Sequence, residues 1–330
     1  MADEPTPIPR QRAVPEEPGL ALPLGERIDL PGRGTTFVRL VDGPPGAPTV
    51  VLLHGLGASG GLNWFRAFGP LSEHFNIIAP DLRGHGRGIR SRRRFRLSEC
   101  ADDVAGLLDL LGAPPVIAVG YSMGGPVAQL LWRRHPERVS GLVLCATGHG
   151  FVPGARERLI FTTMMAVAAG TTRLGQVAAW MPLSGARRLG SLAPANRPST
   201  MRRWAGAEMR RHDLRMVMEA AHAVGTYNAK GWIGDIDVPT AVMVTTRDRA
   251  IRPVDQLRLA LAIDGASIHR IDDGHTVCAR PEFGPAVVRA CREVAAAERP
   301  SARVFSAPSP DSPHRRGQPD QEDSAGSSTA

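Results

Sequence analysis

Short apolar runs rich in β-branched residues alternate with longer amphipathic segments over most of the chain. We interpret seven runs as strands: Phe37–Val41, Thr49–Leu53, Asn76–Ile78, Val116–Val119, Val139–Leu144, Ala241–Thr245 and Ser267–Ile271. Five segments have helical spacing: Leu62–His74, Leu97–Leu111, Pro126–Arg134, Pro253–Ala262 and Pro281–Ala297. Because strands separated by helices of about ten residues or more form crossover connections, the pattern predicts an α/β fold with a mostly parallel sheet.

One segment interrupts this alternation. Residues 149–232 hold no convincing strand, and their apolar residues follow helical spacing. We therefore predict an inserted helical cap, which divides the core into residues 25–148 and 233–298. Its seven methionines are typical of an adaptable apolar pocket roof, although ordinary core packing also explains them. Residues 1–24, rich in proline, and residues 299–330, rich in serine and proline, are predicted to be disordered tails.

The basic residues raise the question of an anionic partner. The formal net charge is +8, and seven arginines lie between Arg83 and Arg96. A solvated loop is the simpler interpretation of this cluster; weak contact with an anionic surface is the alternative. Because Lys230 is the only lysine, arginine usage is general to the chain. We therefore expect no nucleic-acid partner, and the pattern sets no oligomeric state.

The cellular compartment is predicted from the N-terminal residues, the length of the apolar runs and the cysteines. The first residues are acidic and proline-rich with no apolar core, so they do not have the pattern of a secretory signal. No apolar run is long enough to predict a transmembrane segment. The four cysteines are scattered along the chain, which is typical of reduced structural thiols. A cytoplasmic protein is the expectation.

The strongest chemical signal is Gly120-Tyr121-Ser122-Met123-Gly124. A predicted strand ends directly before this pattern, and a predicted helix opens at Pro126 directly after it. A strand–turn–helix context of this kind lifts a serine hydroxyl clear of the sheet as a nucleophile, and it places the serine at a helix N-terminus, where negative charge is favoured. The alternative is a glycine-rich turn with a capping serine.

A second segment, Gly57-Ala58-Ser59-Gly60-Gly61, has the same pattern. Here a loop beginning at His54 separates the serine from the preceding strand, so no sharp elbow can form at Ser59. The loop itself, His54-Gly55-Leu56-Gly57, predicts another role. The backbone N–H of Leu56 and that of Met123 would together make an oxyanion hole, the alternative being a plain glycine-rich connection.

A serine nucleophile needs a base and a carboxylate that orients the base. His275 follows the last predicted strand on a glycine turn, where a base must lie to meet Ser122, although a helix-capping histidine would look similar. Asp248 follows the strand Ala241–Thr245 and is the predicted acid. Asp272 and Asp273 are nearer to His275 in sequence, but they lie on the loop of the histidine itself.

Taken together, these motifs resemble the α/β-hydrolase family. The resemblance rests on the order Ser…Asp…His, on HGLG, on Asp81-Leu82-Arg83-Gly84-His85-Gly86, on GYSMGG and on the final GH, and it covers about residues 25–298. It implies an eight-stranded, mostly parallel sheet flanked by helices, with an inserted helical cap. It also implies the roles already argued for the five site residues: Ser122, Asp248, His275, Leu56 and Met123. Serine as the nucleophile speaks against the haloalkane dehalogenase and epoxide hydrolase branches.

The expected function is hydrolysis of a small-molecule carboxylic ester with an apolar acyl or alcohol part, through an acyl-enzyme. This chemistry requires no metal and no organic cofactor. A lactonase, a C–C bond hydrolase or a cofactor-free perhydrolase could use the same three side chains. A non-catalytic binding protein on the same fold is the rival from another class.

Overall fold

The computed structural model of the chain describes residues 22–151 and 201–297, with the single residue Thr163 between them. Most of the two predicted tails and residues 152–200 of the predicted cap, apart from Thr163, lie outside the described residues. Leu22, which the prediction assigned to the N-terminal tail, is 1% exposed and packs in the core. The packed part of the chain therefore begins before residue 25.

Eight strands form one sheet. They are β1 (Gly25–Leu30), β2 (Gly34–Val41), β3 (Thr49–Leu53), β4 (Asn76–Pro80), β5 (Val116–Tyr121), β6 (Val139–Cys145), β7 (Thr240–Thr245) and β8 (Ser267–Ile271). Their order across the sheet is β1-β2-β4-β3-β5-β6-β7-β8. Strand β2 is antiparallel to both β1 and β4, and all other neighbouring pairs are parallel. The predicted eight-stranded, mostly parallel α/β sheet is confirmed. Strand β1 was not among the seven predicted runs.

The described helices flank this sheet. They are α1 (Gly60–Trp64), α2 (Phe68–Ser72), α3 (Leu97–Leu110), α4 (Gly124–Arg134), α5 (Met201–Met209), α6 (Leu214–Thr226), α7 (Pro253–Ala262) and α8 (Phe283–Ala296), with short 3₁₀ turns at Pro136–Arg138, Ile233–Asp235 and Val277–Ala279. The single helix predicted over Leu62–His74 is wrong, because two short helices occupy this stretch. Pro70 has no N–H to donate to the Arg66 carbonyl, which favours a break there.

The two faces of the sheet carry separate halves of the core. Along β3, Val51 and Leu53 join the apolar cluster on one face, while Val50 and Leu52 join the cluster on the other. All four side chains are 0% exposed. Successive side chains of a strand point to opposite faces, so a strand covered by helices on both sides is apolar throughout. This packing fixes the register of the central strands and hence the positions of the loops that follow them.

Within the described part of the predicted cap, two segments are α-helical, α5 and α6. Trp204 of α5 is 5% exposed and lies edge-on to Phe65, with ring centroids 6.0 Å apart. Within residues 22–151 and 201–297, no helix is both long and apolar enough to cross a bilayer.

Candidate active site

Ser122 lies in a sharp turn between β5 and α4, at the carboxyl end of a central strand. Its φ is 51°, in the left-handed region that a non-glycine residue rarely adopts. Three hydrogen bonds hold the turn: Ser122 N–H donates to the Cys145 carbonyl at 2.9 Å, and the Ser122 carbonyl accepts from Gly125 N–H at 2.9 Å and from the Thr147 hydroxyl at 2.8 Å. The surrounding structure thus stabilises a strained backbone, which presents the serine side chain at the edge of the sheet.

The glycines beside Ser122 are required by close backbone packing. A Cβ atom on Gly124 would lie 2.0 Å from the Leu53 carbonyl oxygen, and one on Gly120 would lie 2.3 Å from the Gly124 carbonyl oxygen. No side chain fits at either position without moving β3 or α4. The pattern around Ser122 therefore reflects a turn pressed against the neighbouring strand.

The three side chains predicted to form a catalytic relay lie in hydrogen-bonding contact. His275 Nε2 is 3.0 Å from Ser122 Oγ, and His275 Nδ1 is 2.8 Å from Asp248 Oδ2. The residues come from the loops after β5, β7 and β8, whose carboxyl ends meet at one edge because the strands are parallel. A serine, an imidazole and a carboxylate in this order can pass a proton from the hydroxyl to the ring.

Asp248 is fixed independently of the histidine. Its Oδ1 accepts hydrogen bonds from Ala250 N–H at 2.8 Å and from Ile251 N–H at 3.0 Å, and its Oδ2 accepts from the Thr245 hydroxyl at 2.8 Å. Burial raises the pKa of this carboxyl, but the hydrogen bonds from His275 and these neighbours outweigh burial, so the net pKa is lowered. Asp248 is therefore ionised at neutral pH and can stabilise an imidazolium.

Two further side chains support the site, and sequence patterns did not single them out. Tyr121, the residue before Ser122, donates a hydrogen bond from its hydroxyl to the His275 carbonyl, and the centroids of the two rings lie 5.8 Å apart. Gln256 of α7 is 0% exposed and donates to Thr245 Oγ1 at 2.8 Å. The Tyr121 contact joins residues 154 positions apart, and the Gln256 contact joins residues 11 positions apart. The only local signal is the polar residue, Thr245, at the end of an apolar strand.

The two rival carboxylates face other partners. Asp272 is ion-paired with Arg247 at 3.0 Å on the surface. Asp273 accepts from Gly274 N–H at 2.6 Å and from Arg280 at 2.9 Å. Among the described residues, Asp248 is the carboxylate that contacts the His275 ring.

The loop after β3 passes close to Ser122. Gly55 to Ala58 form a turn closed by a hydrogen bond from Ala58 N–H to the Gly55 carbonyl at 3.3 Å, with Gly57 at φ 67°. A Cβ on Gly55 would lie 3.3 Å from Ser122 Cβ, so the two segments are nearly in contact. Within the described part of the chain, the N–H groups of Leu56 and Met123 donate to no protein acceptor. Their role in an oxyanion hole stays a prediction.

Ser59 has a structural environment. Its hydroxyl accepts from Leu62 N–H at 3.2 Å, as the N-cap of α1, and donates to Glu208 at 3.0 Å. The side chain is 0% exposed. Within the described part of the chain, this hydroxyl hydrogen-bonds to no imidazole, and the side chain is not presented to solvent.

Two buried histidines lie side by side at the start of this loop: His54, and His85 of the loop after β4, whose ring centroids are 5.4 Å apart. His54 lies with Nδ1 2.8 Å from the Gly55 carbonyl, and its Nε2 accepts from Leu82 N–H at 2.8 Å. Burial lowers the pKa of His54 to about 4 and that of His85 to about 3. Both rings are therefore neutral at pH 7. Both are 0% exposed, and burial disfavours the charged form of the ring.

The arginine cluster divides into a packed and an exposed part. Arg83 is 5% exposed and donates two hydrogen bonds to Asp103 at 2.7 and 2.8 Å. Arg87 lies 4.6 Å above the centre of the Phe37 ring. The remaining members are exposed: Arg90, Arg92, Arg93, Arg94 and Arg96. The interpretation as a solvated loop is therefore wrong for Arg83, whose charge is buried and paired with Asp103, and contact with an anionic surface stays a prediction.

The four cysteines are free thiols, and three of them are buried. Burial raises the pKa of Cys100, Cys145 and Cys291 well above that of an exposed thiol, so these groups are neutral and weakly nucleophilic.

Comparison with known proteins gives one family match that spans most of the chain. A model of the alpha/beta hydrolase fold matches residues 48–279. Among curated proteins, epoxide hydrolase B of Mycobacterium tuberculosis is 37% identical over 116 residues, which are 34% of this chain and 32% of that protein. The matched stretch thus spans about a third of that relative's length.

Two other similarities extend further along the chain. The poly(3-hydroxyalkanoate) depolymerase of Ectopseudomonas oleovorans is 29% identical over 254 residues, covering 71% of this chain and 80% of that protein. Among solved structures, a thermophilic esterase from Thermogutta terrifontis superposes with a TM-score of 0.64 at 26% identity, covering 82% of this chain and 99% of the esterase.

Proposed function

The chain belongs to the alpha/beta hydrolase fold family, and on that basis we propose that it hydrolyses a carboxylic ester with Ser122 as nucleophile, His275 as base and Asp248 as the acid that orients the base. The observation that carries this proposal is the unbroken path of hydrogen bonds from Asp248 Oδ2 through the His275 ring to Ser122 Oγ, at 2.8 and 3.0 Å. The left-handed turn at Ser122 supports it as well, because it exposes the hydroxyl to a substrate.

In the first half of the reaction, Ser122 Oγ bonds to the ester carbonyl carbon while His275 Nε2 takes the hydroxyl proton. Asp248 holds the tautomer with the ring proton on Nδ1 and stabilises the imidazolium that forms. The carbonyl oxygen becomes an oxyanion, which accepts hydrogen bonds from the N–H groups of Leu56 and Met123. Collapse of this intermediate breaks the bond to the leaving oxygen, which receives the proton from His275.

In the second half, the acyl group is an ester of Ser122. His275 takes a proton from water as the water oxygen attacks the acyl carbon, and the same two N–H groups hold the second oxyanion. His275 then returns its proton to Ser122 Oγ, which frees the carboxylic acid. Asp248 keeps the same hydrogen bonds throughout, since Ala250 and Ile251 hold its other oxygen.

The identity of the nucleophile supports esters over epoxides as substrates. Attack by Ser122 on an epoxide carbon would leave an ether on the serine, and the relay has no carbonyl through which to hydrolyse it. Attack on an ester leaves another ester, which the same base and donors can cleave. The named substrate of the Ectopseudomonas oleovorans relative is a polymer joined by ester bonds, which also favours this class. Lactonase, C–C bond hydrolase and cofactor-free perhydrolase activities are the alternatives that the same three side chains could support.

The test is covalent labelling with a fluorophosphonate probe, followed by mass spectrometry of the modified peptide. We expect one adduct, on Ser122, together with hydrolysis of p-nitrophenyl acetate that disappears as the adduct forms. An adduct on Ser59, or diol formation from an epoxide faster than ester turnover, would contradict the proposal. A folded chain that neither labels nor hydrolyses esters would favour the non-catalytic binding protein.

A further inference from the structure

His212 connects the segment between α5 and α6 to two loops beneath it. Its Nδ1 lies 2.8 Å from the Gly86 nitrogen, and its Nε2 lies 3.0 Å from the Gly57 carbonyl oxygen. Because the Gly86 N–H can only donate, Nδ1 is the acceptor, and the proton of the neutral ring is on Nε2. The Nε2–H group therefore donates to the Gly57 carbonyl.

The ring has the protonation state that these bonds need. Burial lowers the pKa of His212, and this effect outweighs the hydrogen bond to Gly57, which raises it. A neutral ring at pH 7 can accept at one nitrogen and donate at the other, as both contacts require.

The Gly57 carbonyl belongs to the turn that carries the Leu56 N–H. The start of this turn is held by helix α1, since Gly55 N–H donates to Asn63 Oδ1 at 2.9 Å. At its other side, His212 is the donor to the Gly57 carbonyl among the described residues. The peptide of this carbonyl also donates, through Ala58 N–H, to the Gly55 carbonyl at 3.3 Å, and the Gly55 carbonyl shares its peptide with the Leu56 N–H.

A second contact joins the same cap segment to the same loop. Glu208, at the end of α5, is 2% exposed and accepts the hydroxyl of Ser59 at 3.0 Å. Its carboxylate also forms ion pairs with Arg211 at 3.1 Å and with Arg87 at 3.5 Å. The connection between the cap helices therefore contacts the loop both at Gly57 and just beyond it.

We propose that His212 is a positioning residue for the oxyanion hole: by holding the Gly57 carbonyl, it fixes the direction of the Leu56 N–H. This inference rests on the proposed function, because the Leu56 N–H has a role as an oxyanion donor only if the chain carries out acyl transfer. An oxyanion donor acts on charge that develops in the transition state, so its alignment affects kcat more than KM. The cap segment thus contributes to the chemistry through the backbone it holds.

The test uses two amide variants that each keep one of the two hydrogen bonds. In His212→Gln, the side-chain nitrogen can reach the position of Nε2 and donate to Gly57. In His212→Asn, the shorter side chain places its oxygen near the position of Nδ1, where it accepts from Gly86 but does not reach Gly57. The pair therefore removes one bond at a time from the same site and serves as a matched control.

We expect His212→Gln to keep kcat for p-nitrophenyl acetate within about threefold of wild type. His212→Asn should lower kcat on the order of ten- to a hundredfold with KM nearly unchanged, as expected for a misaligned donor. The Leu56 amide signal of protein labelled with ¹⁵N-leucine should move in the Asn variant and stay in the Gln variant. Equal kcat in the two variants, or a loss confined to KM, would overturn the inference.

Failure of the proposed function has a different signature. In that case, the wild-type chain itself neither hydrolyses the ester nor labels at Ser122, and this inference fails with it. When the wild type labels at Ser122 but the Gln and Asn variants behave alike, only the role of His212 is refuted.

Discussion

Ser59 and Ser122 lie in the same five-residue pattern, but the fold gives the two serines different surroundings. Ser122 follows β5 directly, with φ 51° and its hydroxyl 3.0 Å from an imidazole. Ser59 comes only after the loop that begins at His54, is 0% exposed, and donates to a carboxylate. The comparison teaches that the distance from the strand end decides what the serine does, since only a turn directly on the strand aims the side chain at the loops of β7 and β8.

The largest expected effect is on kcat, when the hydroxyl of each serine is removed in turn. We expect Ser122→Ala to lower kcat for p-nitrophenyl acetate on the order of 10⁶-fold, because among the described residues no other hydroxyl hydrogen-bonds to the His275 ring. Ser59→Ala should lose less than tenfold and should still label at Ser122. Circular dichroism of both variants checks that they are folded, and comparable losses in the two would erase the distinction.

The next effect separates the three acids near the base. Asp248→Asn should lower kcat by about 10⁴-fold, because an amide in place of the carboxylate favours the wrong imidazole tautomer. Asp272→Asn and Asp273→Asn are the matched controls on the His275 loop, and both should keep kcat within a few fold. A strong loss in either control, with Asp248→Asn near wild type, would transfer the role.

A third effect concerns stability rather than rate, and it comes from His54, which begins the loop of Ser59, and from the neighbouring His85. Burial lowers the pKa of His54 to about 4, from an ordinary value of 6.5, and that of His85 to about 3. Below pH 6.5 the unfolded chain binds protons at these residues that the folded chain does not, so the free energy of unfolding falls as pH falls. The loss is about 2 kcal/mol for each ring by pH 5.

Urea denaturation between pH 7 and pH 5 measures this loss. The matched variant is His85→Asn, whose amide can still donate to the Arg83 carbonyl but does not titrate. We expect its free energy of unfolding to fall by about 2 kcal/mol less than that of the wild type over this pH range, because His54, His149 and His212, whose pKa values are also lowered, still titrate. An unchanged slope would show that the protons bind elsewhere.

The smallest effect is the structural contribution of Ser59. Ser59→Ala removes the N-cap of α1 and should lower the free energy of unfolding by about 1 kcal/mol. Ser59→Asn offers a control, since asparagine is also a good N-cap residue, although its larger side chain must fit a buried site. An unchanged free energy of unfolding in Ser59→Ala would contradict the role of this hydroxyl as a stabilising N-cap.

The parts of the fold that sequence predicted are those with strong local patterns. Strands β3 and β7 are apolar apart from threonines at their ends because both faces are buried, and β5 leads straight into a glycine-flanked serine. Strand β1 escaped prediction for the opposite reason: it is an edge strand in which only Ile28 and Leu30 are buried. The split between α1 and α2 followed from Pro70, which the apolar spacing alone did not reveal.

The candidate site divides in the same way. Ser122, Asp248 and His275 each follow a strand, so turn chemistry and strand order were enough to select them. Contacts such as Tyr121 to His275, 154 positions apart, or Ser59 to Glu208, 149 positions apart, arise from tertiary packing. No local pattern encodes them, and the support of His212 for Gly57 belongs to the same class.

The placement of β8 has a consequence for biosynthesis. Ser122 follows a central strand, but the base follows the last strand of the sheet in chain order, and 153 positions separate the two residues. Contacts between such distant positions form late, because a long loop must close before they can be made. On the proposed mechanism, a nascent chain whose β8 is still in the ribosome has a nucleophile without a base. Such a chain cannot attack the esters around it, so reactivity begins only when the sheet is complete.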